Sequence, residues 1–238
     1  MEEQPLNGRS RVRWWRRIDP ALRWALIVYL VARLLASVWA AVAVSLAPVD
    51  VPYVGHHVYE TIHRAYPHDT PWLNLLLGVW FRWDTGWFTK VALYGYWPDD
   101  GSTTVSPLYP LSIRLLGGLF GGEYLLAALL ISNAALVIGL TFLYKLVRLD
   151  FSEWAARRAV VYQVALPAGF FLLAGYTEAV YLCFVILTLY LARKSNWALA
   201  GVAAFFTALA RMQGWVLVFP LVYEALRQVD WRPLRAWP

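Results

Sequence analysis

Charged residues and cysteines are both scarce in this chain, and each shortage excludes a class of protein. Only 15% of the 238 residues are charged, whereas an ordinary soluble domain has about 25%. The one cysteine, Cys183, lies inside an apolar run, so no internal disulfide can form and cysteine usage does not reveal the redox compartment. The composition therefore fits neither a disulfide-stabilised domain nor a soluble domain with a charged surface.

Motifs that bind nucleotides or carry a hydrolytic nucleophile are missing as well. The sequence has no Walker loop, no glycine-rich dinucleotide turn and no G-x-S-x-G elbow. It also contains no internal repeat and no low-complexity tract. The net charge of +6 does not indicate binding of nucleic acid, because the arginines concentrate next to the first apolar run, where anionic lipid accounts for them.

Histidines are few, and they offer only a weak candidate for a metal site. All four lie between residues 56 and 68, and His56, Glu60 and His63 would share one face of a helix. Two histidines and a carboxylate can bind zinc with one position open, but histidines in loops are commonly just solvated. We therefore expect no metal and no cofactor.

Apolar and aromatic residues are abundant instead. The chain is 60% hydrophobic and 16% aromatic, with 14 tryptophans and a mean hydropathy of +0.50. This composition predicts an all-α integral membrane protein, a multi-span helical bundle whose surroundings are membrane lipid. Counting each apolar run as one crossing gives six spans: Leu22–Ala47, Pro107–Phe120, Tyr124–Val147, Ala159–Leu173, Val180–Ala192 and Trp197–Leu226.

The distribution of charge gives an expected orientation. Residues 1–21 form a basic tail that the positive-inside rule places in the cytoplasm, and the run that follows is too long for a cleaved signal. The loop over residues 48–104 is net acidic, so we expect it on the outer face. The helical bundle then covers residues 22–226, and residues 227–238 form a cationic C-terminal segment. The membrane would be the plasma membrane in a prokaryote and the endoplasmic reticulum in a eukaryote.

One group of cations conflicts with this orientation. Lys145, Arg148, Arg157 and Arg158 should lie inside, but they fall outside if Pro107–Phe120 crosses the membrane fully. Either that short run is re-entrant, or the charge rule fails because these residues do other work. The sequence leaves both alternatives open.

The segment WFRWDTGWFTKVALYGYWPDDGSTTVSPLYP, residues 80–110, places an acidic side chain among tryptophans. Helical spacing predicts an amphipathic helix that lies in the headgroup layer and carries one aromatic stripe. Asp84 would then sit where water meets lipid, and a reaction between a lipid-borne and a polar substrate needs a base there. The alternative is an anchoring helix whose aspartate merely faces water. The stripe consists of Trp80, Trp83, Trp87, Val91 and Tyr94.

Polar residues inside the apolar runs are a second signal. Burying an arginine or glutamate at mid-membrane costs about 2.5–3.5 kcal/mol, so such residues usually have a partner or a purpose. Arg33 is explained by a structural bridge to Glu178 or by snorkelling. Arg211, Gln213 and Gly214 instead suggest a cavity for an anionic group, which the glycine would let the backbone approach.

Several of these motifs together resemble the PIG-V type mannosyltransferases. They occur in the family's order, with similar spacing, over most of the chain from the first span onward. Two positions depart from the pattern, since Met212 stands where a small polar residue is expected and Ser106 where an aromatic residue is expected. The matching motifs are Arg82-Trp83-Asp84, Tyr94-Gly95-Tyr96, Pro107-Leu108-Tyr109-Pro110, Ala174-Gly175-Tyr176-Thr177-Glu178 and Arg211-Met212-Gln213-Gly214.

The resemblance implies a GT-C fold with its active site between the first outer loop and the bundle. It implies a polyprenyl-phosphate-linked sugar donor, typically mannose, and eukaryotic members act in the synthesis of the GPI anchor. Asp84 matches the loop aspartate expected to act as catalytic base on a hydroxyl acceptor. Arg211 would balance the charge that grows on the phosphate. The residues expected to contact substrates are Arg82, Trp83, Lys90, Tyr109, Tyr176, Glu178, Arg211 and Gln213.

Length separates this chain from the family it resembles. The family's chains carry several more spans, so we expect a truncated or partial member, or one whose missing helices a partner chain supplies. Two other classes stay open. A transporter or flippase would also carry intramembrane charges and a broken helix, and a non-catalytic membrane subunit would bind lipid and steady a partner.

Overall fold

The computed structural model describes residues 17–46, 76–81 and 83–231, and these ranges are helical with no β-strand. The predicted all-α class is therefore confirmed. Three short 3₁₀ helices accompany the α-helices, at Gly78–Trp80, Ser102–Thr104 and Met212–Leu217. The nine α-helices of the described ranges are α1 (Pro20–Leu46), α2 (Asp84–Tyr94), α3 (Leu108–Leu119), α4 (Tyr124–Val147), α5 (Glu153–Ala165), α6 (Gly169–Leu173), α7 (Glu178–Arg193), α8 (Trp197–Ala210) and α9 (Val218–Gln228).

Capping side chains and prolines explain where several helices begin. The N–H of Ala21 donates to Asp19 Oδ1 at 2.9 Å, and Pro20 takes the first position of α1, where its missing N–H costs nothing. Ser152 accepts a hydrogen bond at the start of α5, and Asn196 does the same at the start of α8.

Two of the predicted runs form helices long and apolar enough to cross a membrane, Pro20–Ala43 within α1 and Tyr124–Val147. The other runs form shorter helices, or helices separated by a break, so the count of six crossings stays a prediction. Helix α3 has 12 residues and α7 has 16, lengths of about 18 Å and 24 Å. Pro167 separates α5 from α6, and the extended backbone of Arg211 ends α8.

Helix α4 forms the centre of the bundle, and α1 lies at its surface. Helix α4 packs against α1, α2, α3, α5, α6 and α7, and 56% of its apolar window is buried. Only 6% of the corresponding window of α1 is buried, and Leu34, Leu35 and Trp39 are exposed there. Such a large apolar surface is typical of a helix covered by lipid or by another protein.

One end of the bundle collects cations, and we name it the basic end. Lys145 in the last turn of α4 pairs with Asp19 at the start of α1, with Nζ 2.6 Å from Oδ2. Arg193 at the end of α7 pairs with Asp150 at 2.6 Å, and Gln228 at the end of α9 donates to the Ala192 carbonyl. The cations of this end are Arg23, Lys145, Arg148, Arg157, Arg158, Arg193, Lys194 and Arg227.

The basic end favours one of the two topologies that the sequence leaves open. Lys145 lies at the same end of the bundle as the start of α1, so the cations that follow α4 no longer conflict with the basic N-terminal tail. Helix α3 packs beside the first half of α4, where the Tyr109 hydroxyl donates to the Ala128 carbonyl at 2.9 Å. This arrangement favours the re-entrant alternative for the run that contains α3.

Candidate functional site

Four of the predicted site residues meet at the end of the bundle opposite the basic end. Glu178 begins α7, whose other end carries Arg193, and Glu178 Oε1 lies 2.6 Å from Arg211 Nη1. Asp84 begins α2, and its backbone hydrogen-bonds to the hydroxyl of Tyr176. These residues come from three segments far apart in sequence. We name Asp84, Tyr176, Glu178 and Arg211 the site cluster.

Asp84 offers an exposed carboxylate at the N-terminus of α2. Its side chain has no hydrogen bond or ion pair with the other described residues, and the helix dipole favours negative charge there. Trp83, just before it, has φ +44°, a conformation that is strained for a residue with a side chain. Thr85, just after it, is fully buried and donates to the Trp80 carbonyl. Strain and burial thus fix the helix start and leave the carboxylate at the surface.

Tyr176 is held in place by contacts on its ring and backbone. Its ring stacks on Phe171 with 5.5 Å between centroids, and its carbonyl accepts a hydrogen bond from Ser132 at 2.7 Å. Gly175 allows the close approach to α2, since an added Cβ would lie 3.2 Å from Thr85 Cγ2. Burial and the Asp84 carboxylate raise the pKa of Tyr176, which lies between helices α6 and α7, to about 12. Its hydroxyl therefore stays protonated at neutral pH.

The Glu178–Arg211 pair closes the other side of the site cluster. The side chains are 30% and 35% exposed, so the pair is partly shielded from water. Glu178 Oε2 is buried and has no hydrogen-bond partner among the described residues. A carboxylate oxygen in that state can still accept a hydrogen bond from an N–H or O–H group of a ligand. The pair thus neutralises Arg211 and leaves one acceptor free.

Gly214 serves the packing of the chain on itself. The sequence predicts that it lets a ligand approach the backbone, but the 3₁₀ helix Met212–Leu217 uses it to approach α8. An added Cβ would lie 2.7 Å from the Cα and N atoms of Ala208. Gln213, its neighbour, is exposed.

Arg33 does not bridge to Glu178, so the first of its two alternative explanations is wrong, and snorkelling stays a prediction. Its Nη1 donates to the Leu173 carbonyl at 2.7 Å, and its guanidinium lies 4.1 Å from the centre of the Trp80 ring. The Leu173 carbonyl also accepts from Asn133 Nδ2 at 3.2 Å. Helix α4 therefore supports this contact from the bundle centre.

Lys90 and Tyr109, two further predicted residues, make contacts that stabilise the fold. Lys90 Nζ lies 2.8 Å from Asp100 Oδ2, and this hydrogen bond, with those from Ser102, lowers the pKa of Asp100 to about 2. Tyr109 is fully buried, and its hydroxyl lies 2.6 Å from Ser132 Oγ. Both positions favour a structural role over direct contact with a substrate.

The predicted aromatic stripe is wrong as one continuous helix face. Trp80 lies in a separate 3₁₀ helix and is 1% exposed, because it packs against Arg33 and Phe170. The strained turn at Trp83 then changes the direction of the chain before α2 begins. Within α2 itself, Trp87 and Tyr94 are exposed.

The sequence prediction missed the polar residues of α4 that support the site cluster. Ser132 bonds the Tyr176 carbonyl and Asn133 bonds the Leu173 carbonyl, each from inside an apolar helix. The sequence could have predicted them, since two adjacent polar residues inside a long apolar run need hydrogen-bond partners.

Several predicted residues fall outside the described ranges. They are Arg82 and the candidate zinc ligands His56, Glu60 and His63. Within the described part of the chain, no three histidine, cysteine or acidic residues are grouped so that they could hold a metal ion.

Comparison of the chain with family models, with curated proteins and with solved structures finds no match. The likeness to the PIG-V type mannosyltransferases therefore rests on the motifs of the sequence. The all-helical architecture and the site cluster stand on the structure alone.

Proposed function

We propose that this chain is a membrane glycosyltransferase of GT-C type, which moves a sugar from a polyprenyl phosphate to a hydroxyl acceptor. The observation that supports the proposal is the meeting of Asp84 with Tyr176, Glu178 and Arg211 at one end of the bundle. An exposed carboxylate beside a partly shielded polar group suits a reaction in which a hydroxyl must lose its proton. Mannose is the sugar that the family resemblance suggests.

The proposed reaction is a single displacement with inversion at the anomeric carbon. The acceptor oxygen forms a bond to that carbon while the bond from the carbon to the phosphate oxygen breaks. The acceptor proton passes to the Asp84 carboxylate, and the electron pair leaves with the lipid phosphate. General-base help of this kind is worth about 10²–10⁴ in rate.

Glu178 and Arg211 would orient the acceptor. The buried Oε2 of Glu178 has no partner in the described chain and can accept a hydrogen bond from a sugar or lipid hydroxyl. Arg211 holds the other oxygen of that carboxylate at 2.6 Å. Because its charge is already balanced, Arg211 is a weaker candidate for the donor phosphate than the sequence suggests.

The membrane arrangement follows the two ends of the bundle. Helices α1 and α4 would cross the bilayer, and the shorter and broken helices would complete a multi-pass bundle between them. The basic end would face the cytoplasm by the positive-inside rule. The site cluster would then lie at the outer or luminal surface, where lipid-linked sugars replace nucleotide sugars as donors.

A transfer assay tests the proposal. Membranes that contain the chain are incubated with labelled polyprenyl-phosphate mannose, and labelled lipid or protein products are separated. We expect product with the wild-type chain and a loss of about 10²-fold or more with Asp84→Asn. Asp99→Asn is the matched control, because Asp99 is an exposed aspartate in the loop after α2 and should keep wild-type transfer.

Two outcomes would contradict the proposal, one of them the role of Asp84 and the other the enzymatic activity itself. Full transfer by Asp84→Asn would remove Asp84 as the base. Absence of transfer by the wild-type chain, with the donor still bound, would favour a non-catalytic lipid-binding subunit instead.

A further inference from the structure

Arg33 carries a positive charge that no acidic side chain balances among the described residues. Its guanidinium contacts the Leu173 carbonyl, at 2.7 Å, and the face of the Trp80 ring, at 4.1 Å, and the phenol of Tyr29 is its electrostatic neighbour. None of these groups is an acidic residue, so no carboxylate of the described chain neutralises the guanidinium. A guanidinium has five N–H donors, and the described structure uses one of them.

Two cations among the described residues, one in the site cluster and one near it, are already neutralised. Arg211 pairs with Glu178 at 2.6 Å, and Lys90 pairs with Asp100 at 2.8 Å. A phosphate that bound to either cation would have to compete with a carboxylate at hydrogen-bonding distance. Arg33 meets an incoming anion without that competition.

Arg33 also lies between the exposed apolar side of α1 and the two segments that lead to the site cluster. Leu34 and Leu35, which follow it, are each 65% exposed. Its partner Leu173 lies three residues before Tyr176, and its partner Trp80 lies four residues before Asp84. An anion on Arg33 would therefore be close to the site cluster and open to approach from the apolar surface of α1.

The Trp80 ring that Arg33 contacts carries an N–H donor that is itself unsatisfied within the described chain. Trp80 Nε1 is buried and has no hydrogen-bond acceptor among the described residues, although the Trp80 ring is only 1% exposed. Buried donors without an acceptor are rare in native proteins. A cation without an acidic partner in the described ranges, stacked on a ring whose N–H has no acceptor there, indicates that an acceptor with negative charge belongs at this place.

We infer that Arg33 binds the phosphate group of a polyprenyl-phosphate lipid that enters from the bilayer past α1. The inference rests on the proposed function for the identity of the lipid, and it moves the phosphate site from Arg211 to Arg33. Sugar transfer converts the donor's phosphodiester into a phosphomonoester, which carries more negative charge. A guanidinium fixed in a poorly hydrated place stabilises that added charge.

Equilibrium binding to the full chain in nanodiscs of phosphatidylcholine tests the inference. The probe is a labelled polyprenyl monophosphate, with no sugar present, and the competitors are the matching neutral polyprenol and inorganic phosphate. We expect Arg33→Gln to weaken binding at least about tenfold and Arg33→Lys to weaken it less. Arg114→Gln, an exposed arginine of α3 outside the site cluster, should bind as the wild-type chain does.

Both the competitors and the variants can give a result that overturns the inference. Strong competition by polyprenol would show that the phosphate is not recognised, and strong competition by inorganic phosphate would show that no lipid chain is needed; either would overturn the inference. Unchanged binding by Arg33→Gln would overturn it too. Glutamine keeps an amide donor for the Leu173 carbonyl, and thermal unfolding of Arg33→Gln and Arg33→Lys confirms that folded chains are compared.

The binding assay separates this inference from the proposed function. Arg33-dependent binding by a chain that transfers no sugar would support the phosphate site and contradict the transferase. Sugar transfer by a chain whose lipid binding does not depend on Arg33 would support the transferase and contradict the phosphate site.

Discussion

Adding one methyl group at Gly214 tests how closely the segment after α8 packs on that helix. The new Cβ would lie 2.7 Å from Ala208 Cα and N, and 2.8 Å from the Thr207 carbonyl carbon. These are backbone atoms, which cannot swing aside as a flexible side chain can. Gly214→Ala must therefore push the 3₁₀ helix Met212–Leu217 away from α8 and disturb the adjoining Arg211–Glu178 pair.

The expected loss of unfolding free energy follows from the overlap of atoms, and a second glycine provides the control. Overpacking of this kind costs about 1–3 kcal/mol of the free energy of unfolding. Gly201, inside α8, is the control, since an added Cβ there meets no heavy atom within 4 Å. Gly201→Ala should gain about 0.5–1 kcal/mol from helix propensity. For a chain of this size the two variants should differ in unfolding temperature by roughly 3–16 °C.

Thermal unfolding of the purified full chain in nanodiscs, followed by tryptophan fluorescence, measures the difference. We expect Gly214→Ala to unfold below the wild-type chain and Gly201→Ala to unfold at or above it. Equal unfolding temperatures for the two variants would refute the close packing of Gly214 on α8. The assigned position of Arg211 would then lose its support, because the same segment carries it.

Two further predictions concern the polar contacts around the site cluster. Tyr109→Phe should lower the free energy of unfolding by about 1–3 kcal/mol, because the buried Ser132 and Ala128 partners lose a hydrogen bond. The control Tyr223→Phe, at an exposed position, should stay within about 0.5 kcal/mol. Equal effects of the two changes would contradict the buried contact. Asp100→Asn should destabilise the chain at neutral pH, and the difference from wild type should vanish on acidification. The lowered pKa of Asp100 means that its stabilisation is complete above the ordinary value of 3.8 and is lost as the pH falls toward about 2. Unfolding temperatures at several pH values check this, and a difference that grows in acid would contradict it.

The helical class and the helix starts could be predicted because they depend on local sequence. Apolar composition predicts helices, and Asp19, Pro20 and Ser152 mark starts by capping or by proline geometry. The candidate residues of the site cluster were also predicted, from sequence motifs.

The partners of the charged residues could not be predicted, because they depend on tertiary packing. From the sequence, either Arg33 or Arg211 could pair with Glu178. Only the fold shows that Arg211 is the partner. The aromatic stripe failed for a related reason. Helical periodicity assumes an unbroken helix, and the positive φ of Trp83 breaks it.

The placement of Asp84 and the basic end on opposite sides of a membrane is the central claim, and cysteine labelling tests it most directly. Asp99→Cys reports the loop that follows α2, and Lys194→Cys reports the basic end; both positions are exposed, while the native Cys183 is buried. A membrane-impermeant maleimide applied to sealed, right-side-out vesicles should label Asp99→Cys at once and Lys194→Cys only after permeabilisation. Labelling of both positions from the same side would contradict the account.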